Sequence, residues 1–479
     1  MSTHESLHYG TWMHDDAGLP CFHGRFEGPA AVASPFMHGI SSGRLQALVN
    51  RQGLVHLFTT EGGYTDLSAS TFRGRSGLYL EIETHGDRHA LIHDDLAESI
   101  AVCYGTGYAR FTGIWRDGEG GVLEVVQEFY APPDRQSRLI GRFHLRNIGA
   151  CTIEGRLRVR ADVEPNRVTG PLPRPISASS AGVCWPGFYP GLGDYQLAAE
   201  PGFSACPPEG VSLLLASPLD LAPRAVHSVV AQVGYGAQPL PPAVSPEGAR
   251  LAWARRLSRL SFPGVDSWMR DEAVWSAGQL YSHEAWDSSV GEHYLNLGGY
   301  GWIGFGVREV PETALALAAY DSAFAFTCLR WAAKVQYASG DIPHCHAFRR
   351  PAAGESLSTG RRESDNEIWF VLACAEVVHA TGNTAFLDET LPFWEGESAP
   401  VWEHVRRAVE WIFTGVGLGS HGLIRIAEGD WNDYLSHVGA RGRGESMMNT
   451  GMACRALDRL IPLARPRDPA FARLCAQRL

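Results

Sequence analysis

The residues best suited to chemistry stand in two short clusters near the end of the chain. Residues 429–433 read Gly-Asp-Trp-Asn-Asp and residues 442–446 read Gly-Arg-Gly-Glu-Ser, so eight residues separate them. The first cluster places two carboxylates, an amide and an indole within four positions. An indole stacks on a sugar ring, polar groups bind its hydroxyls, and a carboxylic acid donates a proton. The pattern therefore indicates a site that binds and protonates a sugar.

Two other interpretations of the first cluster stay open. Asp430 and Asn432 are residue types that cap turns by bonding to nearby backbone groups. A calcium loop is the weaker alternative, because Tyr434 and Leu435 stand where such a loop needs an oxygen ligand and a glycine.

Composition limits the class of function. Hydrophobic residues make up 45% of the chain and charged residues 19%, which is typical of a globular protein. The net charge of −11 argues against a nucleic-acid partner. The 14 Trp residues favour carbohydrate binding slightly, because a large core also uses tryptophan.

The chain carries no pattern of secretion or membrane insertion that we recognise. Its first residues lack a basic segment followed by an apolar one, and no run of 18 apolar residues occurs. The ten Cys are scattered singly, as expected for reduced, buried thiols. We therefore expect a cytoplasmic protein without a membrane partner.

The first half of the chain shows the period-2 pattern of β-strands. Apolar residues alternate with mostly polar ones in three runs, which contain Leu123, Val125 and Phe129; Leu139, Phe143 and Leu145; and Leu157, Val159 and Ala161. Such alternation buries one face of a strand and exposes the other to solvent. Turn residues separate the runs, and a Pro- and Gly-rich stretch at residues 236–242 indicates a linker. We predict an antiparallel β-sandwich over residues 1–238.

Beyond the linker the apolar spacing becomes helical. Helices are predicted at residues 249–260, 265–282, 312–339, 366–381, 400–413 and 447–463. Residues 368–375 are apolar nearly all round, which indicates a helix buried on every side, as in the inner ring of an α/α barrel. The prediction is an α+β multidomain chain with a helical linker over residues 239–290 and the first part of an (α/α)6-type catalytic barrel over residues 291–479.

The order of several segments resembles glycoside hydrolase family 94, the cellobiose and chitobiose phosphorylases formerly called glycosyltransferase family 36. The matching segments are residues 306–312, 340–346, 364–369, 380–389, 429–433 and 442–446. Several motifs in the right order are far more specific than any one of them.

The resemblance implies a fold and an activity. It implies an N-terminal β-sandwich, a helical linker, an (α/α)6 barrel and a small C-terminal β-domain. It also implies inverting phosphorolysis of a β-linked di- or oligosaccharide to an α-sugar 1-phosphate, with inorganic phosphate as co-substrate and no cofactor. The family's proton donor falls on Asp433, and the Trp that lines its sugar site falls on Trp431. A homodimer is expected because family members often pair through the sandwich.

A single acid is sufficient for this reaction. Inverting hydrolysis needs an acid and a base that activates water, about 6.5–9.5 Å apart. Phosphate arrives already anionic and needs no base. Asp433 must be protonated near neutral pH, so burial or a neighbour such as Asp430 must raise its pKa.

Further side chains are candidates for binding the sugar. They are Asp430, Arg308, Glu309, Arg362, Asp365, Asn366, His344 and Glu445. Two of them depart from the family pattern, since Asn366 stands where the family has a second Asp and Glu309 replaces an Asp. The substrate therefore need not be cellobiose.

Several of these residues also have a structural interpretation. Ser364 with Glu367 has the form of a capping box, with Asp365 in the first helical turn. Arg308 and Glu309 equally fit an ion pair at a helix start. The nearby pair His344 and His346 lacks two further metal ligands in sequence, so no metal is expected there.

The final residues, 470–479, continue a helical pattern without a stop signal, so the barrel looks incomplete and the chain looks cut. Phosphate binding in the family depends on the later half of the barrel. We therefore expect the isolated chain to be inactive unless a second polypeptide completes it. Two alternatives remain, a β-glucan hydrolase or transglycosylase and a non-catalytic carbohydrate-binding remnant.

Overall fold

The computed structural model describes most of the chain in two compact units, Met1–Ala285 and Trp286–Leu479. The described residues are 10–27, 37–61, 65–68, 76–91, 99–163, 177–179, 182–189, 191–200, 202–207, 209, 212–295, 306–346, 363–432 and 437–479. The first unit is rich in antiparallel strands and the second in helices. The chain therefore has the α+β class that the sequence predicts.

The strands of the first unit form three sheets. They are β1 (Thr11–His14), β2 (Pro20–Glu27), β3 (Met37–Ser41), β4 (Gln46–Asn50), β5 (Val55–Thr59), β6 (Thr65–Asp66), β7 (Tyr79–Thr84), β8 (Asp87–Ala90), β9 (Ser99–Gly105), β10 (Tyr108–Arg116), β11 (Val122–Tyr130), β12 (Arg138–Asn147), β13 (Ile153–Asp162), β14 (Ser177–Ser179), β15 (Gly182–Tyr189), β16 (Gly193–Glu200), β17 (Ser204–Ala205), β18 (Ser212–Leu221) and β19 (Val226–Gly236). The sheets have ten strands in the order β1-β2-β9-β10-β11-β12-β19-β16-β15-β14, five in the order β17-β18-β13-β7-β8, and four in the order β3-β4-β5-β6. All three contribute apolar side chains to one core, as in a sandwich.

The alternation seen in the sequence decides which strand faces form this core. Leu123, Val125 and Phe129 of β11 are buried, whereas Glu124 between them is partly exposed. The expectation of a solvated second face is wrong at Arg158 of β13. This side chain is buried because it forms ion pairs with acidic residues of neighbouring segments.

Two helices follow β19 within the first unit, α1 (Pro246–Leu257) and α2 (Ser267–Tyr281). Both begin and end within a few residues of the predicted bounds. Ser245 caps α1 by accepting a hydrogen bond from the backbone of Gly248, with Pro246 at the first helical position. The indole of Trp253 donates to the carbonyl of Ala131 at 2.8 Å, which fixes α1 against the strands.

The second unit consists of helices with short strands between them. Strand β20 (Glu284–Asp287) crosses the boundary between the units. It is followed by β21 (Glu292–Leu295), α3 (Glu309–Leu317), α4 (Ser322–Val335), α5 (Asn366–Thr381), a 3-10 helix (Thr384–Asp388), β22 (Thr390–Pro392), β23 (Ser398–Pro400), α6 (Val401–Trp411), a π-helical turn (Ile412–Val416), α7 (Met447–Arg467) and α8 (Pro469–Arg478). None of the described helices is long and apolar enough to cross a lipid bilayer.

The prediction of one helix over residues 312–339 is wrong, because the chain forms two. Helix α3 ends at Leu317, and α4 begins after Asp321, whose carboxylate accepts a hydrogen bond from the backbone of Phe324. An aspartate that caps a new helix start interrupts an otherwise continuous helical pattern.

Helix α5 has the predicted bounds and is buried on nearly every side. Its end is set by Gly382, which adopts φ 68° and donates from its backbone to Val378. That left-handed conformation favours glycine. The start of α5 carries the candidate site.

Candidate active site

Arg308 is the centre of a buried group of charges in the second unit. It precedes α3, and its Nη1 lies 3.2 Å from Oε2 of Glu363 and 3.3 Å from Oδ2 of Asp365. The same nitrogen lies 3.3 Å from the carbonyl oxygen of Asp430. One guanidinium thus joins three segments that are far apart in sequence. We call Arg308, Glu363, Asp365 and His344 the Arg308 cluster.

His344 brings a second cation to this group. Its Nδ1 lies 2.7 Å from Oε2 of Glu363. A hydrogen bond with Cys345 and the ion pair with Glu363 raise the pKa of His344 to about 10, so the imidazole is charged at neutral pH. The carbonyl of His344 accepts from the backbone of Val307, which holds the histidine next to Arg308.

Burial makes the cluster electrostatically unusual. The side chains of Glu363 and Asp365 are fully buried, and Arg308 is nearly so. Burial, reinforced by the charge of Glu363, raises the pKa of Asp365 to about 6, although Arg308 acts in the opposite direction. Buried charges persist only when they are paired and hydrogen-bonded. The site is therefore built to hold charge out of water.

The capping box predicted at the start of α5 is wrong. Ser364 donates its hydroxyl to the carbonyl of Gly429 at 3.0 Å, and its backbone N–H donates to the same carbonyl at 3.1 Å. Glu367 instead accepts a hydrogen bond from the backbone of Ile342 at 2.7 Å. These two side chains therefore join α5 to other segments rather than to each other.

Asp430 makes two hydrogen bonds that fix its own loop, one within the loop and one to Ser446. Its Oδ1 accepts from the backbone of Asn432 at 3.0 Å, and its Oδ2 accepts from the hydroxyl of Ser446 at 3.1 Å. The turn-capping interpretation is therefore confirmed for Asp430. Ser446 also caps α7, so the two clusters that opened the sequence analysis are joined through these two residues. The next side chain, Trp431, is 55% exposed.

The remaining predicted residues lie in different places. Glu309 approaches the Arg308 guanidinium at 3.4 Å, as the helix-start ion-pair interpretation predicts. Asn366 donates its amide to the carbonyl of Ile342 at 3.1 Å. The Glu445 carboxylate lies 3.1 Å from the His421 ring, so its described contacts are not with the Arg308 cluster. Asp433 and Arg362 lie outside the described residues.

His344 and His346 serve different carboxylates although they are two positions apart. The His346 Nε2 lies 2.9 Å from Oδ2 of Asp287, which also accepts from the indole of Trp331. The two rings therefore pair with different carboxylates, His344 with Glu363 and His346 with Asp287.

Two acidic residues of this region were not predicted from the sequence. Glu363 shares its carboxylate between Arg308 and His344. Burial, followed by the charge of Glu309, raises the pKa of Glu312 to about 7. A signal for Glu363 was present, because acids occupy the alternate positions 363, 365 and 367. Only the fold shows which of them face a cation.

Several buried acceptors of this region have no donor among the described residues. They are Asp365 Oδ1, Glu309 Oε2 and Asn366 Oδ1. Buried polar atoms in native proteins nearly always have a partner, which is often a ligand or water. A group rich in hydroxyl donors is the chemical complement of three such acceptors.

Residues 269–474 match the family described as the glycosyl hydrolase 94 superfamily, catalytic domain. This match covers less than half of the chain, and within it the sequence is similar to the catalytic domain of glycosyl hydrolase family 94. Every candidate site residue falls within the matched range. The family resemblance read from the sequence motifs is therefore confirmed.

Two curated proteins and one solved structure are among those similar to this chain. The chain is 30% identical over 180 residues to solabiose phosphorylase of Paenibacillus borealis, which covers 36% of this chain and 21% of that protein. It is 34% identical over 109 residues to N,N'-diacetylchitobiose phosphorylase of Vibrio furnissii, which covers 23% of this chain and 13% of that protein. A putative kojibiose phosphorylase from human microbiome aligns with 95% of this chain and 60% of its own, at 8% identity and a TM-score of 0.37. The aligned stretches thus span about a fifth or less of the two curated family 94 relatives.

Proposed function

We propose that this chain supplies the sugar-binding groups and the proton donor of an inverting β-glycoside phosphorylase. The reaction takes a β-linked di- or oligosaccharide and inorganic phosphate to an α-sugar 1-phosphate. The observation that carries the proposal is the buried Arg308 cluster, which lies in a domain whose two relatives described above are disaccharide phosphorylases. The helices of the second unit are proposed to be part of an (α/α)6 barrel.

The Arg308 cluster, together with the adjacent residues Glu309 and Asn366, is proposed to hold the hydroxyls of the sugar that is cleaved. Asp365, Glu309 and Asn366 each offer an acceptor atom that no described residue uses. Arg308 and the protonated His344 hold the neighbouring carboxylates in fixed positions. Hydrogen bonds to charged groups contribute roughly 1.5–3 kcal/mol each, which is enough to select a sugar by its hydroxyl pattern. Arg362 is proposed to contribute a further contact.

Asp433 is proposed as the proton donor. In the sequence it comes directly after Asn432, whose backbone N–H donates to Asp430, and Asp430 also accepts from the hydroxyl of Ser446. Trp431, with its exposed indole, is proposed to stack on the sugar ring. Glu445 is proposed to bind substrate less directly, because its described contacts are with His421.

Phosphate is proposed as the nucleophile, so the site needs no catalytic base. The proton passes from Asp433 to the glycosidic oxygen while a phosphate oxygen attacks the anomeric carbon from the opposite face. That direction of attack inverts the configuration. A hydrolase or transglycosylase would need no phosphate, and a non-catalytic sugar-binding protein would be indifferent to Asp433.

Sugar binding is tested by calorimetric titration of the chain with a panel of β-linked gluco-oligosaccharides, with and without phosphate. We expect binding of at least one sugar, weakened roughly 10-fold or more by Asp365→Asn because a charged hydrogen bond is lost. The matched control is Asp458→Asn, an exposed acid on α7. Absence of binding across the panel, or equal binding by the Asp365→Asn variant, would contradict the proposal.

Chemistry is tested on the same panel by measuring the release of sugar 1-phosphate with and without inorganic phosphate. If sugar 1-phosphate is released only in the presence of phosphate, and Asp433→Asn abolishes the release, the result supports Asp433 as the proton donor. Free sugar or longer oligosaccharides formed without phosphate would instead indicate a hydrolase or transglycosylase.

A further inference from the structure

Two cysteines and a histidine meet on one face of the ten-stranded sheet, within the first unit. Cys21 and His23 are two residues apart in β2, so their side chains share a face. Cys103 of β9 lies directly opposite His23 in the antiparallel register. The sequence alone suggested scattered thiols, because 82 positions separate the two cysteines.

The donor atoms of these three side chains converge. All lie within 4.8 Å of one another, and Cys21 Sγ lies 3.4 Å from His23 Nε2. In the part of the chain that the structure describes, no other group of three His, Cys, Asp or Glu side chains is arranged closely enough to share an ion. The Tyr108 hydroxyl lies 3.5 Å from Cys103 Sγ, on the neighbouring strand β10.

These separations fit a tetrahedral zinc ion. Zinc binds sulfur at about 2.3 Å and imidazole nitrogen at about 2.0–2.1 Å, which places its ligands roughly 3.4–3.8 Å apart. The Cys21–His23 distance already falls in that range. The remaining donor atoms lie within 4.8 Å, so they need to come closer by roughly 1 Å to share the ion. Two thiolates and a neutral imidazole would balance the double charge of the ion.

The surroundings suit a metal better than a disulfide. Both thiols are free, and Cys21 pairs with Gly105, so it is a diagonal neighbour of Cys103 rather than the residue opposite. The Cα atoms of diagonal neighbours lie roughly 7–8 Å apart, whereas those of a disulfide are usually about 4.4–6.8 Å apart. An ion spans the longer gap.

A neighbouring positive charge also favours thiolate ligands, and the surroundings leave a way in for an ion. Cys21 and Cys103 are buried beside Tyr130 and Ile140, while His23 is only partly buried and leaves the group a side open to solvent. Arg110 lies opposite Cys103 on β10, where its positive charge stabilises a thiolate. The three side chains thus lie in an apolar environment, and an ion can reach them from the solvent on the side of His23.

We propose that Cys21, His23 and Cys103 bind one zinc ion, with Tyr108 or a water as the fourth ligand. The ion would join β2 to β9 near the edge of the ten-stranded sheet, and we infer a structural role. The proposal is separate from the sugar-binding proposal, because none of its ligands belongs to the Arg308 cluster.

The test uses the full chain, stripped of metal under reducing conditions and then titrated with zinc against a chromophoric chelator. We expect one zinc per chain. Cobalt substitution should give the visible bands of a tetrahedral site and a thiolate-to-cobalt charge-transfer band. Replacing a partner behind a metal ligand costs about 10–100-fold in affinity, so Cys21→Ser or Cys103→Ser should cost at least the upper end of that range.

Two further variants keep the result interpretable. Cys151→Ser is the matched control, because Cys151 is exposed, contrary to the expectation of buried thiols, and should bind zinc as the wild type does. His23→Gln changes a partly exposed side chain, so the fold should survive while zinc affinity falls. A wild type without stoichiometric zinc, a cobalt spectrum without the thiolate band, or unchanged affinity in the cysteine variants would each overturn the proposal.

Discussion

Arg308 and Glu363 meet in the interior of the second unit, with Nη1 of the guanidinium 3.2 Å from Oε2 of the carboxylate, although 55 positions separate them. His344 approaches the same oxygen at 2.7 Å. One buried carboxylate therefore pairs with two cations, and Asp365 is held beside them. This shared pairing means that removing one member exposes the others to an unbalanced charge.

Arg308→Ala should therefore be strongly destabilising. Loss of the guanidinium leaves two buried carboxylates with one cation, and breaking a buried pair typically costs about 3–5 kcal/mol. The measurement is the free energy of unfolding in urea, with Arg330→Ala as control. Arg330 pairs with Glu389 at a site where both side chains are about a third exposed, so its loss should cost under about 1 kcal/mol. Equal effects of the two variants would show that the buried pairing contributes little.

The charged state of His344 predicts a pH dependence. Its pKa is raised from the ordinary 6.5 to about 10, so its contribution to stability is fully present below about pH 6.5 and is lost as pH rises through 10. Between pH 7 and 10 the wild type should lose roughly 1–3 kcal/mol more than His344→Gln, a figure below the full shift because the side chain is 21% exposed. Unfolding measured across this range tests it. Parallel pH curves for the two proteins would contradict a charged His344.

Glu312 predicts a stabilising substitution. Burial, and then the charge of Glu309, raises its pKa from 4.5 to about 7. Its contribution to stability is thus present below about pH 4.5 and is lost as pH rises through 7. Glu312→Gln should stabilise the protein by roughly 1–2 kcal/mol at pH 8 and by little at pH 4.5, since the wild-type side chain is then protonated.

The control for Glu312→Gln is Asp458→Asn, because Asp458 is exposed on α7. Its unfolding free energy should follow the wild type at both pH values. A stabilisation by Glu312→Gln that is the same at pH 4.5 and pH 8 would mean that ionisation is not its cause.

Gly340 and Gly382 form a matched pair for testing backbone packing. Both have positive φ, 99° and 68°, but an added Cβ at Gly340 would lie 2.2 Å from the carbonyl oxygen of Arg407, whereas at Gly382 it meets nothing within 4 Å. Gly382→Ala should cost about 1 kcal/mol from the strained conformation alone. Gly340→Ala should cost at least about 2 kcal/mol more, since the backbone must also shift. Thermal unfolding of both variants measures the difference, and equal losses would contradict the contact.

Local patterns in the sequence were enough to predict several of the helices and strands. The bounds of α5 and the buried face of β11 follow from the spacing of apolar residues, because burial on one face requires a fixed period. The family motifs likewise pointed to Arg308 and Asp365, which the structure brings within 3.3 Å of each other. Both kinds of pattern are local, because each involves residues that are close together in the sequence.

Hydrogen-bond partners that are distant in the sequence were not predictable from local patterns. Ser364 and Glu367 fit a capping box by spacing, yet each bonds to a different distant segment. The break between α3 and α4 was not predicted, although Asp321, which caps the start of α4, is a residue type that favours helix starts.

The sequence by itself determined the α+β class, most of the helices and strands, and the resemblance to family 94, since these depend on periodicity and on ordered motifs. Only the tertiary structure decided that Glu363 serves both Arg308 and His344, and that Cys103 faces His23. Those contacts depend on strand register and helix packing, which join residues through the balance of burial, charge and hydrogen bonding over the whole unit. Spacing along the chain carries no record of that balance.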